Sequence, residues 1–512
     1  MTIFRNHDRT LRWTTGLCLA AVGAAMAHLM LHFSGYIYKF HATSLFQDTA
    51  AWFAGHFEKP AALLLYAGRF LTQFCYYPAL AVAMLLALYA VITWLCYRYF
   101  LRGFAVPLLA VIPATALFVS LMRIGYGVVM FRADALIFTE PLGILGALLL
   151  WRLLSAFPAD GGWVYAPVPI VAAAGYPLVG CYALLAVLTF AASVLTHAKG
   201  RVRYALPAVA LLSVALAPWL EYLLIYGHSV LRYMWFQGAP CLDYVGAPAE
   251  FLPLVLSGLC LPAFACLGHG RTRKASLRHA AASVALCAAL LTGVYLLPDR
   301  SSLLHRQMEC ERAIENGDWD TVAAKTLGLK TTNDVLIAYR NCALYAKGHL
   351  AERCMNYSFQ TVPLKVFGLE YSSSIVAGPT IFFHSGLLNY SARISSEISL
   401  YTDYAVERWK YLAKTAIFNG EEALAEKYLK TLEHTTLHKA WARRYTRLLH
   451  DGALLAQDPE YKLLHPLQDY DERNWMPSDN AAADVLMFYY FVPGRSPEMQ
   501  EWNRAARRMV SY

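Results

Sequence analysis

Charge is scarce in this chain: Asp, Glu, Lys and Arg make up 15% of its 512 residues, against 58% hydrophobic. That balance excludes a single water-soluble core, because one globule could not hide so much apolar surface, and it points to lipid as the solvent. The eleven cysteines form no CxxC and no Cys/His cluster with ligand spacing, which excludes a recognisable zinc or dithiol site, and no cofactor is expected. Cys18, Cys96, Cys181, Cys260, Cys266 and Cys287 fall in apolar segments and read as small core residues. A formal charge of +9 does not indicate nucleic acid, since the basic residues come in short clusters between apolar runs.

What is present is one composition step. Apolar residues dominate as far as Leu297, and from Pro298 onward charged residues return at globular frequency, so 1–298 reads as a transmembrane helical domain and 299–512 as a soluble one. Arg5, Arg9 and Arg12 precede an apolar run that continues beyond Ala25-Met26-Ala27, which favours an uncleaved first span over a signal peptide. Further spans are expected near 77–96, 104–121, 133–153, 204–226, 251–266 and 283–297. The stretch 163–196 reads either as one overlong span or as two short ones turning at Gly175-Tyr176-Pro177 or Gly180. Charge favours two, because only then do Lys199, Arg201 and Arg203 share the inner side with Arg271, Arg273, Lys274 and Arg278. About nine spans follow, with the N-terminus cytoplasmic and the soluble domain in the periplasm of a bacterial inner membrane. Pro107, Pro113, Pro207 and Pro218 predict kinks within the bundle.

Beyond Leu303 the spacing of apolar residues is helical. Asn316-Gly317, Lys347-Gly348 and Asn419-Gly420 each end one amphipathic stretch and precede another, as glycines in a left-handed helix-terminal conformation would. The fold class expected is therefore all-α: a polytopic bundle followed by tetratricopeptide-like helical hairpins, although the full repeat consensus is absent. The segment 361–367 reads as a short extended connector, and 475–512 as two further helices. For Cys310, Cys342 and Cys354, one disulfide and three free thiols are both open.

Several motifs carry a resemblance. Gly317-Asp318-Trp319-Asp320, Asn341-Cys342-Ala343-Leu344 with Gly348, the run 378–389 (GPTIFFHSGLLN) with Ala392-Arg393, and Ala425-Glu426-Lys427-Tyr428-Leu429 lie in the soluble part. Gly68-Arg69-Phe70-Leu71-Thr72-Gln73-Phe74 and Tyr77-Pro78 lie in the membrane part. On these the chain resembles an uncharacterised family of bacterial multi-pass inner-membrane proteins carrying a domain of unknown function. The resemblance implies an arrangement of the chain and no activity.

Ionisable groups at membrane depth are costly, so each is a functional candidate. Glu140 lies twelve residues before Arg152, roughly 18 Å along a helix. Glu221 ends its span at the outer side, where Arg123, Arg132, Asp134, His228, Arg232 and Asp243 gather, and the first outer loop adds His41 and Asp48 before an amphipathic stretch at 50–74. Asp48, Glu140 and Glu221 are the candidate catalytic carboxylates; His41, Arg123, Arg132, His228 and Arg232 are candidate substrate-binding residues. A carboxylate activating an acceptor hydroxyl, with guanidinium groups on a phosphate leaving group, would suit a polyprenyl-phosphate-linked glycan. The layout is similar to that of C-type membrane glycosyltransferases, but the first loop lacks their paired acidic motif. The alternative pairs Glu140 and Asp134 with Arg123 and Arg132, and Glu221 with Arg232, as structural ion pairs in a scaffold whose repeats bind a periplasmic protein. His434 and His438 have ligand-like i, i+4 spacing without a third ligand. A transporter is disfavoured because no paired halves are visible.

Overall fold

The computed structural model describes residues 2–123, 136–157, 165–239, 251–267, 277–298, 302–357, 361–362, 365–366, 369–370, 373–401 and 405–467. Expectations for Arg132, Asp134, Asp243, Arg271, Arg273, Lys274 and 475–512 fall outside these residues. The chain divides into two compact units: Met1–Phe33, Ala50–Ile124 and Ala135–Asp299 build the first, and Ser34–Thr49 joins the chain from Arg300 onward in the second.

In chain order the first twelve helices are α1 (Thr2–His32), α2 (Ser34–Ala42), α3 (Ala50–Gly55), α4 (Ala62–Thr72), α5 (Pro78–Cys96), α6 (Ile112–Arg123), α7 (Leu136–Leu154), α8 (Pro167–Val179), α9 (Cys181–His197), α10 (Val202–Leu224), α11 (Leu252–Leu267) and α12 (Leu277–Leu296). All but α2 belong to the first unit. Among the described residues, five of its helical segments are long and apolar enough to cross a membrane: Thr10–His32, Pro78–Leu101, Ile137–Leu154, Val202–Leu224 and Leu277–Leu296. Pro107–Arg123, α8, α9 and α11 are apolar but shorter. The chain is thus a helical protein with several membrane-compatible helices.

Small residues set the seams of this unit. α1 packs along α12, where the Cys18 thiol approaches Ser283 O at 3.9 Å and the Cys287 thiol approaches Cys18 O at 3.8 Å. Gly180 separates α8 from α9 with φ +61°, so 163–196 contains two helices turning at one of the two sites read from the sequence. Only glycine fits that turn, because a Cβ would lie 2.1 Å from Gln237 O. The stretch 50–74, expected as amphipathic, is helical and packs through α4 against α7 and α8. Pro207 and Pro218 do lie inside α10, but Pro107 opens a 3₁₀ turn and Pro113 sits in the first turn of α6, where a missing N–H is harmless.

The second unit continues with α13 (Ser302–Glu315), α14 (Trp319–Thr326), α15 (Asp334–Ala346), α16 (Leu350–Arg353), α17 (Ser373–His384), α18 (Leu388–Tyr401), α19 (Val406–Phe418), α20 (Glu422–Glu433), α21 (Lys439–His450), α22 (Gly452–Leu455) and α23 (Pro459–Leu464). Successive helices fold back on one another, from α13 on α14 to α20 on α21. Gly317, Gly348 and Gly420 all take the left-handed conformation their sequence positions imply, and Gly386 does the same between α17 and α18. Side-chain caps start several helices: Asp318 accepts from Thr321 N and Asn333 from Leu336 N. The expected connector supplies one strand of a two-residue ladder, Lys365–Val366, which pairs with Leu369–Glu370 just beyond it. Cys310, Cys342 and Cys354 are separate thiols.

One correction concerns the first loop. The sequence places Lys39, His41 and Asp48 in the first outer loop of the membrane part, whereas α2, which carries Lys39 and His41, is a buried helix of the second unit, with Tyr36, Ile37 and Phe40 at most 1% exposed. It packs against α13 so closely that a Cβ at Gly35 would stand 3.0 Å from Glu309 N.

Candidate functional site

The proposed constellation is divided between the units. Glu140 is buried in α7, 2% exposed, and acts electrostatically on Tyr89 of α5. Glu221 is half-buried in the last turn of α10, where one carboxylate oxygen is shielded from solvent with no hydrogen-bond partner among the described residues. Arg123 ends α6, half-buried. His228 and Arg232 are exposed after α10, and the Arg232 guanidinium donates to Tyr233 Oη at 2.7 Å rather than pairing with Glu221. Asp48 and His41 belong to the second unit. Asp48 is exposed, its N–H donating to His434 O at 3.4 Å. His41 is 2% exposed and meets the tilted ring of His438 with an Nε2 to Nε2 distance of 2.6 Å. The spacing of His434 and His438 is therefore not a ligand pattern in the described structure: His438 faces His41, and His434 caps α20 exposed.

The densest polar cluster is one the sequence reading did not assemble. Three lysines in the second unit are 4–7% exposed: Lys39 on α2, and Lys410 and Lys414 one turn apart on α19. Buried ammonium groups persist only when paired. Lys39 lies 2.7 Å from both Glu311 and Glu407, and Glu311 also accepts from Tyr339 Oη at 3.0 Å and Gln307 Nε2 at 3.0 Å. Lys410 pairs with Glu315, which accepts as well from the Tyr38 hydroxyl. Lys414 lies 2.7 Å from Glu460, itself bonded to Tyr445 Oη at 3.1 Å. Glu311 and Glu315 are one turn apart on α13, matching the spacing of Lys410 and Lys414, so i, i+4 spacing was the available signal.

Electrostatics follows from this pairing. Burial opposes the charge on Lys39, but Glu311 and then Glu407 outweigh it and hold its ammonium well above the usual lysine range. Burial would raise the Glu315 carboxyl, yet Lys410, helped by Tyr38, brings it down to about 2. Glu460 is lowered in the same way by Lys414 against its burial. The histidines go the other way: burial, then Lys410, lowers His41 to about 3 and His438 to about 2, and burial lowers His384 to about 4 despite Glu460. His41 and His438 are therefore neutral rings, one Nε2–H donating to the other's lone pair.

The cavity among Tyr38, Lys39, Glu311, Glu315, Lys410 and Trp441 measures about 30 Å³, room for about one water. The cluster ties α2, α13, α19 and α23 together. A cavity of about 840 Å³ lies in the first unit, between α1, α5, the segment 103–114 and His279. That volume is in the range of small-molecule sites.

Residues 10–489 match the model of a family of unknown function (DUF6057), and the chain belongs to that family. No curated protein and no solved structure matches it.

Proposed function

We propose that this DUF6057 member is a nine-span membrane protein of the cell envelope whose soluble unit is a non-catalytic, tetratricopeptide-like scaffold for a protein partner. Four shorter apolar helices beside the five long ones supply the nine spans, and the arginine clusters favour a cytoplasmic N-terminus with the second unit outside. The observation carrying the scaffold reading is the Lys39, Lys410 and Lys414 network: its charges are consumed in mutual pairing, and its cavity of about 30 Å³ cannot admit a glycan. Orientation is tested by labelling intact spheroplasts with an impermeant maleimide. Cys310 and Cys354 are buried, so an exposed position must carry the label, and Lys430→Cys serves. Reaction only after lysis reverses the orientation.

A second reading, a C-type glycosyltransferase-like enzyme using a lipid-linked sugar, draws support from Glu221, whose shielded, unpartnered carboxylate oxygen suits a base awaiting an acceptor. Substituting Asp48, Glu140 and Glu221 by their amides and comparing envelope glycans separates the two. Unchanged glycans at wild-type protein levels end the enzyme reading, whereas loss of the glycan with Glu221→Gln alone, in a folded protein, ends the purely non-catalytic one.

A further inference from the structure

α1 carries two glycines, Gly16 and Gly23, seven residues apart and so on one helical face. In membrane helices small residues usually let a neighbouring backbone approach. Here nothing approaches: a Cβ added at either position would meet no atom within 4 Å. Both glycines instead line the 840 Å³ cavity, with Leu19, Val22 and Met26 of α1 and Leu86, Ala90 and Thr93 of α5. Their missing side chains create volume rather than contact. Gly16, Trp94 and Tyr97 are exposed wall residues, so the cavity is a groove open on its flank.

The groove has a direction. From Arg12 to Met26 the α1 wall is fourteen residues, about 21 Å, more than the roughly 15 Å of hydrocarbon in one leaflet. Along α1 the wall runs from Arg12 and Thr15 to the apolar Leu19, Val22 and Met26; His279 and Tyr97 also line the groove, and Trp94 lies under the Arg98 guanidinium at 5.3 Å. Tryptophan, tyrosine and arginine together mark headgroup depth. A charged mouth at headgroup depth above an apolar slot longer than a leaflet is complementary to one molecule: an anionic lipid with its phosphate at the mouth.

We propose that the groove between α1 and α5 holds one anionic glycerophospholipid, its phosphate bound by Arg12 and His279 and an acyl chain lying along Gly16 and Gly23. The inference needs only membrane residence; the proposed orientation adds that the lipid belongs to the cytoplasmic leaflet, which the spheroplast labelling checks separately. Arg12 supplies a charge-assisted donor pair that a zwitterionic or neutral headgroup uses less well.

The test uses the full chain in detergent, stripped of loose lipid, then exposed to phosphatidylglycerol, phosphatidylcholine, diacylglycerol or undecaprenyl phosphate and examined by native mass spectrometry. One phosphatidylglycerol per chain is expected to survive, at least tenfold over phosphatidylcholine and diacylglycerol. Arg12→Gln should lower retention about tenfold. The pair Gly16→Leu with Gly23→Leu, whose Cβ atoms would meet nothing within 4 Å and whose side chains reach into the slot, should abolish retention while thermal unfolding stays at or above the wild-type temperature. Equal retention of diacylglycerol, undecaprenyl phosphate held in preference to phosphatidylglycerol, or phosphatidylglycerol retained undiminished by the double leucine variant would each overturn the proposal.

Discussion

Acid should open the second unit well before its carboxylates protonate. The perturbation is a fall from pH 7.5 to pH 5, and the responding groups are His41, His438 and His384, whose folded values of about 3, 2 and 4 all lie below pH 5. In the unfolded chain a histidine titrates near 6.5, so at pH 5 the unfolded state has bound a proton at each site and the folded state has not. Stability therefore rises with pH between the folded and unfolded values and falls as pH drops through that window. The size depends on the unfolded value alone, because pH 5 clears all three folded ones: about 1.5 units at 1.36 kcal/mol per unit gives about 2 kcal/mol per ring. The His41–His438 pair loses about 4 kcal/mol, and with His384 the unit loses about 6 kcal/mol, a large part of an ordinary domain's 5–15. Glu315 and Glu460 act in the same direction but later: their stabilisation is present above about 4.5 and is lost as pH falls towards their lowered folded values.

Hydrogen exchange of amides in α19 and α21, corrected for intrinsic rates, reads this as protection lost by about four decades between pH 7.5 and 5. Replacing His41 and His438 together by glutamine, which can still bond amide to amide, should leave only the part due to His384, between one and two decades. Wild-type protection at pH 5 within threefold of that at pH 7.5 would refute the neutral-ring assignment.

Other perturbations separate charge from backbone. Lys39→Met strands Glu311 and Glu407 beside each other without their cation and should cost about 3–5 kcal/mol in denaturant unfolding of the second unit. Gly386→Ala sets a Cβ 2.4 Å from Leu467 Cβ at φ +79° and should lower stability by more than about 2 kcal/mol, whereas Gly420→Ala, with φ +74° but open space around it, should cost only about 1 kcal/mol of backbone strain. Thermal unfolding of the two side by side measures the difference. In the first unit Gly180→Ala, blocked by Gln237 O, should reduce the yield of folded protein in detergent, as monitored by size exclusion.

Much of the helical grammar was readable locally. Gly317, Gly348 and Gly420 announced helix ends because a left-handed residue needs glycine whatever lies elsewhere, and Gly386 carried the same signal in the run HSG. Gly180 was readable as one of two turn sites because charge argued for two helices there. The lysine network was not readable, since each partner looks ordinary by itself. Lys39 is separated from Glu407 by 368 residues, and as one cation in a presumed loop it was indistinguishable from a solvated charge. Asp48 and His41, seven residues apart in the sequence, differ in burial: His41 on α2 is buried, and Asp48, beyond the end of that helix, is exposed.

That distance between partners bears on how the second unit is completed. A chain beginning at Arg300 would contain every helix from α13 onward yet lack α2, and α2 supplies Lys39 to Glu311 and Glu407, Tyr38 to Glu315 and His41 to His438. It would also lack Tyr36, Ile37, Phe40 and Leu45, each at most 1% exposed, whose burial contributes roughly 1.5–3 kcal/mol apiece. The sum, roughly 6–12 kcal/mol, rivals the whole stability of a typical domain. A fragment starting at Arg300 should therefore show helical circular dichroism without a cooperative transition. A synthetic peptide of residues 34–49 added in trans should restore that transition, and the same peptide with Lys39→Met should not. If the fragment alone unfolds cooperatively with wild-type stability, α2 is an ornament on a self-sufficient domain. If the peptide rescues it, the second unit is assembled from segments on both sides of the first in the sequence and cannot be finished until the last helix of the first unit has been made.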